Sequence, residues 1–98
     1  MQHDKQLARF AKAMGHPTRI AILRFLSVQD SCFFGDIQKE LLQHSKTTIF
    51  QHLTILKDAG LIQSKISSPK VRLCINPENW ALIQELFNEL QRGYSKKC

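Results

Sequence analysis

The stretch Ser45-Lys46-Thr47-Thr48-Ile49-Phe50-Gln51-His52-Leu53-Thr54-Ile55-Leu56-Lys57-Asp58-Ala59-Gly60 decides the fold. Ser45 suits a helix N-cap and Gly60 a helix stop, so the pattern predicts a helix over about 45–59. On a wheel of 100° per residue with Lys46 at zero, Ile49, His52, Leu53 and Leu56 share one arc, the side that must pack inward. Lys46, Thr47, Phe50, Gln51, Thr54 and Lys57 take the opposite arc. That outer arc offers two cations for phosphates, an amide for a bidentate contact with adenine, and hydroxyls and methyls for base edges. A major-groove helix needs these groups, but an ordinary solvated helix face carries similar ones, so the surroundings must decide.

Upstream, a short helix is expected over about 35–42, inward through Ile37 and Leu41, and only Gln43, His44 and Ser45 separate it from the next. Two helices joined so tightly are a helix-turn-helix candidate. Asp30-Ser31-Cys32-Phe33-Phe34 reads as a turn and a very short extended piece. Earlier still, a helix over about 17–27 is apolar around most of its circumference and is expected to be the core spine. Gly15-His16-Pro17 separates it from a first helix, about 6–14, with its stripe at Leu7, Phe10, Ala11 and Met14.

Downstream, Val71, Leu73 and Ile75 alternate with Arg72, Cys74 and Asn76, and Ser68-Pro69 is turn chemistry, so a hairpin is expected over about 61–76. A final helix, about 77–92, carries Trp80, Ile83, Phe87 and Leu90, widened by Leu82 and Leu86, an apolar face too broad for a small domain to cover. Residues 93–98 read as a basic tail. The order α-α-β-α-α-β-β-α, mainly α with a small β-hairpin, is that of a winged helix-turn-helix domain. In that fold the helix over 45–59 enters the major groove and the hairpin, with Lys65, Lys70 and Arg72, touches the flanking DNA backbone. Those charges also protect an exposed sheet edge, and both roles can hold at once.

A chain of 98 residues with 43% hydrophobic content fits one domain, residues 1–98. Fourteen Lys and Arg against eight Asp and Glu give a formal charge of +6, which makes a polyanion the default partner. No apolar run approaches a membrane span and the N-terminus has no signal-like core, so a soluble cytoplasmic protein is expected. Three scattered cysteines, Cys32, Cys74 and Cys98, argue against a disulfide framework and fit a reducing compartment. An enzyme reading lacks a Gly-rich phosphate loop, a nucleophile elbow and paired carboxylates.

Ala13-Met14-Gly15-His16-Pro17-Thr18-Arg19-Ile20-Ala21-Ile22-Leu23 resembles the LGHPTRLAIL signature of the ArsR-type (arsenical-resistance repressor) regulators. Ser45 to Leu53, continued by Leu56-Lys57-Asp58-Ala59-Gly60-Leu61-Ile62, is similar to that family's S-x-S-T-V-S-x-H-L-x-x-L-x-x-A-G-L-V block. The resemblance implies a homodimeric repressor of double-stranded DNA that leaves its operator when an effector binds, with the first and last helices building the dimer. Leu7, Phe10, Trp80, Ile83, Phe87 and Leu90 are the corresponding interface candidates. Ser45 and Thr48 join the outer arc and the hairpin cations as candidate DNA contacts. Phe50 stands where the family has a small polar residue, so it is expected either to meet a thymine methyl or to pack against the wing. His52 reads first as a hydrogen-bonded core histidine and His16 as a helix-junction residue.

The C-V-C-D-L box of metal-sensing members is not intact: Cys32-Phe33-Phe34-Gly35-Asp36-Ile37 has one cysteine, displaced, and the last helix has no His. In winged-helix topology, however, Ser31-Cys32-Phe33 lies beside Leu73-Cys74-Ile75, which brings two thiols near disulfide distance. Cys32 and Cys74 are therefore either a redox switch, a site for a thiophilic metal or metalloid such as As(III), or two small buried hydrophobes. Two other functions stay open: a winged helix that binds protein, and a DNA regulator with no effector.

Overall fold

Helix α1 spans Gln2–Met14 and α2 spans Pro17–Ser27; β1 (Phe33–Gly35) and α3 (Ile37–Glu40) follow, then α4 (Lys46–Asp58), β2 (Ile62–Ser67), β3 (Lys70–Ile75) and α5 (Pro77–Arg92). The structure, a computed structural model, describes residues 2–29, 32–41, 46–67 and 70–94, and of residues 46, 66 and 67 the backbone alone. The expected element order is the observed one. The three strands form one antiparallel sheet in the order β1-β3-β2.

Two helix boundaries differ from the expectation. Helix α1 begins at Gln2 rather than near residue 6, because its first turn is polar and apolar periodicity cannot register it; Asp4 there favours the positive end of the helix dipole. The short helix begins at Ile37 rather than 35. Gly35 is still paired with Val71 in the sheet, and Asp36 caps the helix by accepting from the Gln38 N–H at 3.1 Å. Leu41 ends it, and the remainder of the expected segment, with the Gln43-His44-Ser45 turn, lies outside the described residues.

The other caps follow local chemistry. His16 caps α2, its Nδ1 accepting from the Thr18 N–H at 3.1 Å with Pro17 in the first turn. Asn76 caps α5 by accepting from the Asn79 N–H at 3.1 Å. Helix α4 ends in a Schellman motif: the Gly60 N–H bonds Lys57 O and the Leu61 N–H bonds Leu56 O. Gly60 has φ of +83°, the left-handed conformation this turn requires.

The core gathers Phe10 of α1, Ile22, Leu23 and Leu26 of α2, Ile37, the α4 residues Ile49, Leu53 and Leu56, the sheet residues Val71 and Leu73, and Ile83 and Leu86 of α5. Leu53 and Leu56 are fully buried, so truncating either to Ala costs about 2–5 kcal/mol. This burial holds α4 rigidly and leaves its other face to solvent.

Candidate nucleic-acid interface

The face of α4 away from the core exposes Thr47, Gln51, Thr54 and Lys57. The Thr54 hydroxyl donates to the Phe50 carbonyl at 3.0 Å, which leaves its methyl and its oxygen lone pairs for an incoming partner. Thr48 is half-buried. Ser45 and the Lys46 side chain lie outside the described residues. Phe50 departs from its expected outward place: it is half-buried and packs against the core cluster. It lies within the outer arc, about 60° from Leu53 on the wheel and farther from it than exposed Lys57, but a ring that large gains more from leaning onto apolar neighbours than from standing in water.

The hairpin strands β2 and β3 carry Lys65, Lys70 and Arg72, all exposed. Lys65 and Arg72 are direct cross-strand partners. Like charges set opposite each other destabilise a sheet. Phe34 of β1 pairs with Arg72 on the other side and is 69% exposed, so one lateral row across the sheet reads Phe34, Arg72, Lys65. Phe34 escaped the sequence reading; the usable signal was the Phe33-Phe34 doublet, whose members must point to opposite faces. Phe33 turns inward, edge-on to Phe25 at 5.0 Å between ring centroids.

Cys32 and Cys74 are joined by a disulfide, with Cα atoms 4.4 Å apart. Scattered cysteines argue against a disulfide framework, yet the two that winged-helix topology sets side by side are bonded. Spacing along the chain says nothing of the β1–β3 register, which pairs Phe33 with Leu73 and so sets the two cysteines opposite each other. The bond borders a groove of about 570 Å³ that Arg72 and Trp80 also line. A disulfide offers no thiolate to a metal, and among the described residues no three His, Cys, Asp or Glu side chains gather to hold one. Cys98 lies outside the described residues.

The interface candidates divide. Phe10 is 1% and Ile83 5% exposed within the single chain, so both are core and unavailable to a partner. A wheel shows which face is apolar but cannot tell how much of it the chain itself covers. Leu7, Trp80 and Phe87 are half-buried and Leu90 is 68% exposed.

His52 and His16 pack with ring centroids 4.4 Å apart, and Arg19 Nη1 lies 3.3 Å from His52 Nδ1. Arg19 also escaped the sequence reading, because its neighbours are set by the approach of α2 to α4.

Residues 16–64 match the profile of the bacterial regulatory protein arsR family. The chain belongs to the ArsR family. It is 37% identical over 65 residues to an uncharacterised helix-turn-helix transcriptional regulator of Methanocaldococcus jannaschii, covering 66% of this chain and 72% of that protein. It is 32% identical over 74 residues to the helix-turn-helix transcriptional regulator YgaV of Escherichia coli, covering 76% and 74%. The crystal structure of an ArsR family transcriptional regulator shares the fold with a TM-score of 0.75 at 20% identity, over 97% of this chain and 96% of that one. This ArsR-family chain is thus a DNA-binding transcriptional regulator with a winged helix-turn-helix. Among the described residues, no helix is long and apolar enough to cross a membrane.

Proposed function

We propose that the protein is a cytoplasmic homodimeric repressor that reads a near-palindromic operator and is released from it by a change at Cys32 and Cys74. The observation that carries the DNA reading is the exposed polar face of α4 beside the like-charged Lys65–Arg72 pair. Thr47, Gln51 and Thr54 meet base edges; Lys57, Lys65, Lys70 and Arg72 meet phosphates, and Ser45, Lys46 and Thr48 join these contacts. Two copies associate through α1 and α5, with Leu7, Trp80, Phe87 and Leu90 at the contact. This sets two recognition helices about 34 Å apart.

The dithiol form binds the operator. A peroxide or an oxidised disulfide takes two electrons and two protons from Cys32 and Cys74, the S–S bond closes, and the DNA is released. Cys74 lies two residues from Arg72 on the same strand, so the bond acts on the strand that carries the phosphate contact. In the dithiol form the same pair is the place for a thiophilic metalloid.

Fluorescence anisotropy on DNA upstream of the gene, beside a scrambled duplex and at several salt concentrations, tests this. Selective binding with a steep salt slope, lost on oxidation and insensitive to oxidant in Cys32→Ser/Cys74→Ser, is expected. Equal, weak binding to both duplexes moves the function to a protein-binding winged helix. Selective binding with the same oxidant response in the double variant removes the switch alone.

A further inference from the structure

The groove beside the disulfide, about 570 Å³, lies in the size range of small-ligand pockets. Its wall includes a reactive bond, since both Cys32 and Cys74 line it. Cys32 is half-buried and Cys74 is 8% exposed, so Cys32 is the cysteine a reagent reaches first. One cation, Arg72, lines the groove, and among the described residues no carboxylate lines it and Arg72 is in no ion pair. Three side-chain amides, of Gln29, Gln63 and Gln84, line it as well. Gln29 is anchored, its Nε2 donating to the Phe25 carbonyl at 3.0 Å, which leaves its amide oxygen to accept. Amides in this number suit a ligand that itself carries peptide groups, and an uncompensated guanidinium suits an anion. The bond between the cysteines selects the reactive group, because a thiolate is what attacks a disulfide.

We propose that this groove binds a small peptide-like thiol bearing a carboxylate, and that the Cys32–Cys74 bond is reduced there. The carboxylate lies on Arg72, the ligand's amides meet the glutamines, and its sulfur reaches Cys32 Sγ. The thiolate attacks Cys32 Sγ, the bond to Cys74 breaks, and Cys74 leaves as a thiolate that takes up a proton, the equivalent of the one the attacking thiol released. A second thiolate attacks the ligand's sulfur in the mixed disulfide, and Cys32 leaves and is protonated in the same way. The net change oxidises two small thiols to one disulfide and turns the protein's bond into two thiols. A folded reductase fits less well, because it must bring its own thiol past the groove's walls to a bond that is mostly buried. Arg72 is also a proposed phosphate contact, so the mixed disulfide withholds it from DNA until the second thiol arrives. That consequence rests on the redox reading of the proposed function, whereas the exchange does not.

The test is reduction of the oxidised full-length protein, free of DNA, by glutathione, its diethyl ester, 2-mercaptoethanol and cysteamine, followed by intact mass and peptide mapping. Each rate constant is divided by that of the same thiol on oxidised 2-mercaptoethanol, which removes differences in intrinsic nucleophilicity. On this scale glutathione is expected to exceed 2-mercaptoethanol and cysteamine by about tenfold, to saturate, and to form its first adduct on Cys32. The ester and Arg72→Gln each lose about threefold, the worth of an exposed ion pair. Lys5→Gln, an exposed change of equal charge away from the groove, loses nothing. S-methylglutathione, which cannot exchange, competes with glutathione and shifts the fluorescence of Trp80, the one tryptophan of the chain and part of the groove wall. Rates that rise linearly, with no preference for glutathione over 2-mercaptoethanol, overturn the proposal. So do equal losses in Arg72→Gln and Lys5→Gln, which mark attraction by net charge alone, or a bond that yields only to a protein dithiol such as thioredoxin. A glutathione preference that stands while DNA binding is indifferent to the bond removes the redox switch and leaves the site.

Discussion

The side-chain amide of Asn79 donates to the Gly60 carbonyl at 2.8 Å, tying the end of the recognition helix to the first turn of α5. The bond sits on the left-handed residue of the Schellman turn, and a Cβ added at Gly60 meets Asn79 Nδ2 at 2.9 Å. Gly60→Ala therefore carries two penalties, a strained φ and a displaced amide. Its unfolding free energy in denaturant melts should fall by about 1–3 kcal/mol. Asn79→Ala alone should lose about 1 kcal/mol, and the two should be non-additive in a double-mutant cycle.

Gln51 and Lys57 lie on the same exposed face but should fail differently on DNA. Gln51→Ala should cost about 1–3 kcal/mol on the preferred operator and relax selectivity at one base pair. Lys57→Ala should weaken all sequences alike and lower the salt slope by about one. Competition binding against single-base operator variants separates the two.

Arg72 faces Lys65 across the hairpin, so removing it should help the fold and harm the function. Arg72→Thr should raise unfolding free energy by about 0.2–1 kcal/mol while weakening DNA binding and its salt dependence. A thermal melt and an anisotropy titration on one preparation check both signs.

Reduction of the Cys32–Cys74 bond, whose partners are 42 residues apart, releases the denatured chain from a loop constraint worth about 4 kcal/mol in the chain-entropy account. Melts with and without a thiol reductant should differ by up to that amount. Cys32→Ser/Cys74→Ser should show no difference.

The exposed end of α5 should govern association and the buried positions should govern folding. Leu90→Glu, at a residue 68% exposed, should shift sedimentation toward monomer with little change in intrinsic stability. Phe10→Ala should instead cost about 3–5 kcal/mol of stability.

Much of this was legible in the residues, for physical reasons that differ by element. Helices α2, α4 and α5 announce themselves through apolar periodicity and through caps that lie in the local sequence. The α4 residues Ile49, Leu53 and Leu56 are buried where the wheel puts them, while Thr47, Gln51, Thr54 and Lys57 are exposed. What the wheel misjudged depends on packing from elsewhere. Phe50 leans onto the core, and Phe10 and Ile83 are covered by the chain itself. Topology brought Cys32 and Cys74 together in thought, but neither composition nor spacing announced a bond between them. Arg19 and Phe34 carry no local signature, because the significance of each arises from a neighbour that is distant in the chain.

The Cys32–Cys74 bond also divides the molecule in a way its helices and strands do not. Helices α3 and α4 and strand β2 lie between the two cysteines, while α1, α2 and α5 lie outside them. The parts proposed to face DNA thus form a covalent ring, and the parts proposed to meet a second copy are its two free arms. A single backbone cut within the ring leaves the oxidised protein one molecule and splits the reduced one in two. Gel electrophoresis with and without reductant would therefore record the state of this bond after limited proteolysis at the wing.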